Sequence, residues 1–149
     1  MSIKQDIEAA LKDAMKAGDE TRKRTYRLIL SSIKLAEVEA GKPLDDQATL
    51  AVIQKEIKIR RESIEGAEQA QREDLIAETL KEITILEGFL PKQLSDAELT
   101  EMALAVIKET NATGPADTGK VMKALMPKIQ GRAPGDRVSQ VVRKALQGG

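Results

Sequence analysis

Ser31 and Ser32 are side chains that could act as nucleophiles, yet the usual bases are missing, because the 149-residue sequence holds no histidine and no cysteine. Without histidine the commonest general base and the commonest metal ligand are both gone. Without cysteine there is no disulfide and no thiolate site. A serine–lysine pair is chemically feasible, but the spacing singles out no lysine for it. The acidic pairs Asp45/Asp46, Glu73/Asp74 and Glu37/Glu39 could in principle move protons or hold Mg²⁺. They fall at expected helix starts or on polar faces, where capping and dipole compensation account for them. The stretch from Gly114 to Val121 reads GPADTGKV and matches a phosphate-binding loop, G-x-x-x-x-G-K, until its last position. Val121 has no hydroxyl for Mg²⁺, Pro115 removes a backbone amide from the cradle, and no strand precedes it. A glycine-containing loop leading into a helix is the better reading. We therefore expect no catalytic residue, no metal and no cofactor.

What remains is cationic. Arg22, Lys23, Arg24 and Arg27 crowd the start of the second expected helix, where positive charge opposes the helix dipole. Pairing with Asp19 or Glu20 is the simpler explanation, and binding the other. The second cluster is Lys120, Lys123, Lys128 and Arg132, with Arg143 and Lys144 in the last helix. Lys120 and Lys123 share a helix face, while Lys128 and Arg132 flank the Gly131 turn, where glycine gives room for close backbone approach. The zero net charge hides a division. Residues 1–90 carry 15 basic and 18 acidic side chains, residues 91–149 carry 9 and 6, and the stretch from Ala112 onward carries 7 and 2. With one Tyr, one Phe and no Trp, base stacking is disfavoured, and contact with the backbone of a structured RNA is the form that binding would take.

The elements that must position these cations are helices. Hydrophobic residues make up 41% of the chain but aromatics only 1%, a palette suited to interlocking helices. No stretch alternates at period two. Ser2 caps a first helix with Ile3, Ile7, Leu11, Ala14 and Met15 on one face, ending at Gly18. Asp19 caps a second, ending at Gly41. Its two apolar stripes, Tyr26/Ile29/Leu30/Ile33 and Leu28/Leu35/Val38, predict a central helix touching more than one neighbour. A third helix starts at Asp45–Asp46, buries Leu50, Ile53, Ile57 and Ile64, and ends at Gly66 or near Gln69–Gln71. A fourth runs from about Arg72 to Leu90 with Ile76, Leu80, Ile83 and Leu86 inward. Pro91 breaks the pattern, and Ser95 with Glu98 forms a capping box that opens the next helix. Asp117 is expected to cap a sixth helix that Pro127 kinks or ends, and Pro134 begins a seventh. The fold class is all-α, with a four-helix bundle over residues 1–91 and a basic three-helix bundle over 92–149. The N-terminus shows no apolar h-region, and the apolar runs fall far short of the roughly 20 residues of a membrane span. A cytoplasmic location is expected.

Several blocks resemble the YqeY family. They are Lys55-Glu56 with Arg60-Arg61-Glu62-Ser63-Ile64, Arg72-Glu73-Asp74-Leu75, Leu90-Pro91-Lys92-Gln93-Leu94-Ser95, the run from Gly119 to Lys128, and Gly131-Arg132-Ala133. The likeness covers essentially the whole chain. It implies two unlike helical bundles and kinship with the tail of the B subunit of the glutamine-dependent amidotransferase that matures mischarged tRNA. That tail contacts tRNA, while kinase and amidase chemistry lie elsewhere. The resemblance thus implies a non-catalytic tRNA-binding module, for which the second basic cluster, Lys120, Lys123, Lys128, Arg132, Arg143 and Lys144, offers the candidate phosphate contacts. It allows a protein partner in translation or aminoacyl-tRNA maturation. A protein–protein adapter is the first alternative, and an accessory component of a carbon–nitrogen ligase reaction the second. This chain departs from the family in two places. Gln71 stands where glycine is usual, with Gly66 earlier, so the turn between helices three and four is expected to be shifted or absent. Ala133-Pro134-Gly135 replaces Ala-Asp-Gly.

Overall fold

The computed structural model describes residues 2–148; Met1 and Gly149 lie outside it. Among the described residues there are seven α-helices, one 3₁₀ turn and no strand. The chain divides into two compact units, Met1–Leu90 and Pro91–Gly149, so Pro91 goes with the second unit. No helix among the described residues is long and apolar enough to cross a membrane.

The first unit holds α1 (Ile3–Ala17), α2 (Glu20–Ala40), α3 (Asp46–Gln69) and α4 (Glu73–Glu87). Ser2 opens α1 with a full capping box, because its hydroxyl accepts from the Gln5 amide while the Gln5 side chain accepts from the Ser2 amide. Asp19 and Asp45 accept from the third amide of α2 and α3. Gly18 and Gly41 close α1 and α2 in the left-handed conformation, which costs glycine little. Asp46 also accepts from the Ile3 amide at 3.0 Å, tying α3 to the start of α1. The core is aliphatic, built on Ile7, Ile29, Ile33, Ile53 and Leu86, with the only two aromatics, Tyr26 and Phe89, edge to face at 5.7 Å.

Several expectations need correction here. α2 is central as expected, packing against α1, α3 and α4, but Leu28, Leu35 and Val38 form no second buried face on it: they are 48%, 61% and 71% exposed. Met15 and Leu80 are also exposed, whereas Ile83 and Leu86 are buried. Helical periodicity marks a stripe but does not say whether anything covers it. Gly66 lies inside α3, which runs on to Gln69. The turn into α4 is neither lost nor shifted to Gly66. Gln71 adopts φ +57° in place of glycine, with the Arg72 amide on the Ala67 carbonyl and the Gln71 amide on that of Glu68, a Schellman closure.

The second unit holds α5 (Asp96–Thr110), a 3₁₀ turn (Pro115–Asp117), α6 (Thr118–Ile129) and α7 (Gly135–Gln147). Ser95 and Glu98 form the expected reciprocal box at 3.1 Å in both directions. Leu99, Ala103, Val106, Val121, Leu125, Ile129, Val138, Val142 and Leu146 are buried together. Leu94 and Ala133, from the segments flanking these helices, complete that core. Asp117 does not cap α6. Its carboxylate turns back to accept from the Thr113 amide at 2.9 Å, so it closes the loop before the helix. Pro127 sits within α6, which continues to Ile129 and ends at Gln130 and Gly131, both at positive φ. The amide that proline lacks would have served the Lys123 carbonyl, on the exposed side of the helix, where water can replace it.

Candidate functional site

The residues that could have done chemistry are mostly occupied by structure. Ser32 donates to Glu56 at 3.0 Å. Glu37 accepts from Lys4 at 2.8 Å and from the Leu44 amide at 3.0 Å; these bonds, the lysine's first, hold its carboxyl below the ordinary range. Asp74 pairs with Arg72. Among the described residues no three carboxylates gather as a metal-binding set. The Gly114–Val121 loop has Gly114 extended, then the 3₁₀ turn, with Gly119 already inside α6.

The first basic cluster is largely spent on α2's own neighbours. The Arg22 guanidinium lies 5.6 Å from the Tyr26 ring centroid and donates to its hydroxyl at 3.2 Å. Lys23 faces Glu20 at 3.5 Å. Arg24 bonds Glu78 at 2.6 Å and Glu82 at 3.3 Å, and this contact with the guanidinium is the chief reason that the Glu78 carboxyl is held below the ordinary range. Arg60 joins the same network, at 2.9 Å from Glu56 and 3.1 Å from Glu82. The network staples α2, α3 and α4.

The second cluster spreads over two helices and a turn. Lys120, Lys123 and Lys128 lie on α6, Arg132 in the α6–α7 turn, and Arg143 and Lys144 on α7. At about 100° per residue, Lys120 and Lys123 are roughly 60° apart on the face opposite Val121, Leu125 and Ile129. Lys128 falls on the α5 flank, where it pairs with Glu109 at 3.0 Å. Both partners are exposed, so that pair is worth only about 0.2–1 kcal/mol. Arg132 is partly buried and its Nε donates to the Lys92 carbonyl at 3.1 Å, which fixes the guanidinium while leaving its outer N–H groups unassigned. The side chains of Lys120, Lys123, Arg143 and Lys144 are exposed and form no hydrogen bond or ion pair among the described residues. Lys120 is felt by Asp117, whose carboxyl lies low chiefly because the Thr113 amide bonds it.

One cation was missed by the sequence reading. Arg137 on α7 reaches across to Asp96, with Nη2 at 2.6 Å and Nε at 3.1 Å from one carboxylate oxygen. It lies two turns before Lys144 on the same face, a spacing visible in the sequence. Arg137 and Lys144 border a groove of about 570 Å³ between α5 and α7, floored by Leu104, Val141 and Ala145.

These features define a class: an all-helical protein of two units, with an aliphatic core in each, no assembled catalytic set among the described residues, and free cations on the second unit. Its family follows from comparison. A family profile described as Yqey-like protein matches residues 4–146, and the chain belongs to that family. The Altered inheritance of mitochondria protein 41, mitochondrial, of Pyrenophora tritici-repentis is 31% identical over 143 residues, covering 95% of this chain and 77% of that protein. Proteins of the same name from Eremothecium gossypii and Lachancea thermotolerans are 35% and 34% identical over 114 residues. The chain spans only 60% and 61% of their lengths.

The cytoplasmic expectation is corrected by these relatives, which are named as mitochondrial proteins. It rested on the missing secretory h-region and membrane span. Neither discriminates here, because organellar transit segments are amphipathic and arginine-rich rather than apolar.

Proposed function

We propose that the chain is a binding module for structured RNA, transfer RNA in the first instance, and that the second unit makes the contact. The observation that carries this reading is the set of four exposed cations without hydrogen-bond or ion-pair partners, Lys120, Lys123, Arg143 and Lys144, on a unit whose core is built entirely from other residues. Phosphate contacts are made largely by long cations, and those free of internal partners need break no bond to make them. Arg132, oriented by the Lys92 carbonyl, and Lys128, held only by an exposed pair, extend the surface. Both aromatic side chains lie in the first unit, so recognition is of backbone and shape rather than by stacking. Transfer RNA is favoured among RNAs by the resemblance to the amidotransferase tail. Any part in carbon–nitrogen ligase chemistry would then be as the binding component.

The test is tRNA affinity against salt for the chain and for a variant carrying Lys120→Glu, Lys123→Glu, Arg143→Glu and Lys144→Glu. Each lost phosphate contact removes about 0.7–0.9 from the slope of log K against log salt, so the slope should flatten by roughly 3. An unchanged slope with unchanged affinity sinks the proposal. All four positions are exposed, and circular dichroism checks that the fold is intact.

A further inference from the structure

The outer face of α2 carries a pattern that the fold of the first unit does not use. Leu28, Ser31, Leu35 and Val38 are spaced three, four and three residues apart, the a/d rhythm of a coiled-coil seam. All four are exposed, while Tyr26, Ile29 and Ile33 on the opposite side fill the core. Single exposed leucines are ordinary, but a seam in heptad register with a small residue at its centre is a shape that accepts a helix. Leu28 stands between two recesses, about 370 Å³ beside Lys23, Arg24 and Arg27 and about 320 Å³ beside Ser32, Ile59 and Ser63. It is a ridge with a groove on either side, the relief into which helices interdigitate.

The charges along this seam select the occupant. Arg27 and Lys34 occupy the flanking positions just before Leu28 and Leu35, both are exposed, and neither forms an ion pair among the described residues. Four nearby carboxylates are already engaged, Glu20 by Lys23, Glu56 and Glu82 by Arg60, and Glu78 by Arg24, while Glu39, on the other flank after Val38, is exposed and forms no ion pair among the described residues. The free charge on the Arg27–Lys34 flank is therefore positive, although the first unit as a whole has more acidic than basic side chains. An antiparallel second copy would set Arg27 and Lys34 against the same two cations, which is repulsive, and a parallel one would pair only Lys34, with Glu39, and leave Arg27 opposite Ser32. We infer that the α2 outer face docks an amphipathic helix of a partner protein, with aliphatic residues at its own a and d positions and Asp or Glu on the flank facing Arg27 and Lys34. This is independent of RNA binding, which concerns the second unit.

The test uses the full chain and two labelled synthetic helices of about three heptads. Both have leucine at a and d; one has glutamate and the other lysine at the flanking positions. Fluorescence anisotropy should show the glutamate helix binding and the lysine helix binding at least tenfold more weakly. Leu28→Glu with Leu35→Glu should weaken the glutamate helix by about 100-fold or more, as expected for losing two buried leucines. Arg27→Glu with Lys34→Glu should invert the preference in favour of the lysine helix. These side chains are exposed, so an unchanged circular dichroism spectrum and Tyr26 fluorescence will show that the fold survives. The inference is overturned by any of four results: neither helix binds; both bind equally; the chain sediments as a dimer that Leu35→Glu dissolves, which assigns the face to a second copy; or Arg27→Glu with Lys34→Glu removes RNA binding while the leucine variants keep it, which assigns it to RNA.

Discussion

Replacing Gln71 by glycine should stabilise the first unit, and replacing its neighbour Ala70 by glycine should destabilise it. Gln71 holds φ +57° at the left-handed closing position of α3, where a side chain costs about 1–2 kcal/mol. Its own side chain is exposed and makes no hydrogen bond among the described residues, so glycine removes no contact. The unfolded chain gains freedom with the new glycine, which offsets about 0.4–1 kcal/mol. The net gain is about 0.5–1 kcal/mol. Ala70 has φ −87°, where glycine relieves nothing and costs about 0.5–1 kcal/mol. The chain supplies its own probe, since its single tyrosine, Tyr26, is buried in the first unit against Phe89 and there is no tryptophan. Tyrosine fluorescence in urea therefore reports this unit alone. With a slope of about 1–3 kcal/mol/M, the midpoint should rise by roughly 0.2–1 M for Gln71→Gly and fall by a similar amount for Ala70→Gly, with the slope unchanged. If both variants move the midpoint the same way, the left-handed closure at Gln71 is not strained and the reasoning fails.

Two further outcomes are expected from the polar staples. Arg60→Met should cost about 1–3 kcal/mol in the same assay, less than the 3–5 typical of a fully buried pair, because Arg60 is 11% exposed and its partners Glu82 and Glu56 are 16% and 22% exposed. Adding Glu82→Gln should recover part of the loss, and an unchanged midpoint for Arg60→Met would show the network to be idle. Lowering the pH should also destabilise both units. Glu37, Glu78, Glu98 and Asp117 are all held below the ordinary carboxyl range in the fold. The unfolded chain thus binds more protons, and their contribution is full above about pH 5 and fades as pH falls through the folded values. Glu78→Gln should flatten the tyrosine-detected acid limb, and an equally steep limb in that variant would exclude Glu78 as a contributor.

Most helix starts could be read in advance because a cap is local. Ser2, Asp19, Asp45 and Ser95 each act within three residues of themselves. Asp117 failed by the same logic, since its carboxylate had a second amide in reach, that of Thr113, and only the path of the loop decides between them. The turn after α3 was misjudged for a different reason. Glycine lowers the cost of a left-handed residue, but the Schellman hydrogen bonds and packing of α3 on α4 impose it even on glutamine. The exposed α2 stripe was misread because apolar periodicity implies burial only when a neighbour exists. For the candidate site, the basic character of the second unit was legible from counting. Which cations are free was not, because Lys128 and Arg132 find partners at Glu109 and Lys92, far away in sequence.

The segment entering the second unit is stitched to the α6–α7 turn rather than to the helix it precedes. The Leu94 amide bonds the Arg132 carbonyl at 2.8 Å, the Gln93 side chain donates to the Gly131 carbonyl at 3.1 Å, and Arg132 donates back to the Lys92 carbonyl. Mechanically this is a clasp. Tension arriving along the chain at Pro91 would load the turn bearing Arg132 before it reached the core helices, and the three bonds would share the load across that turn. A pull of that kind would be felt first between Lys128 and Arg143, on the surface proposed above to meet a phosphate backbone.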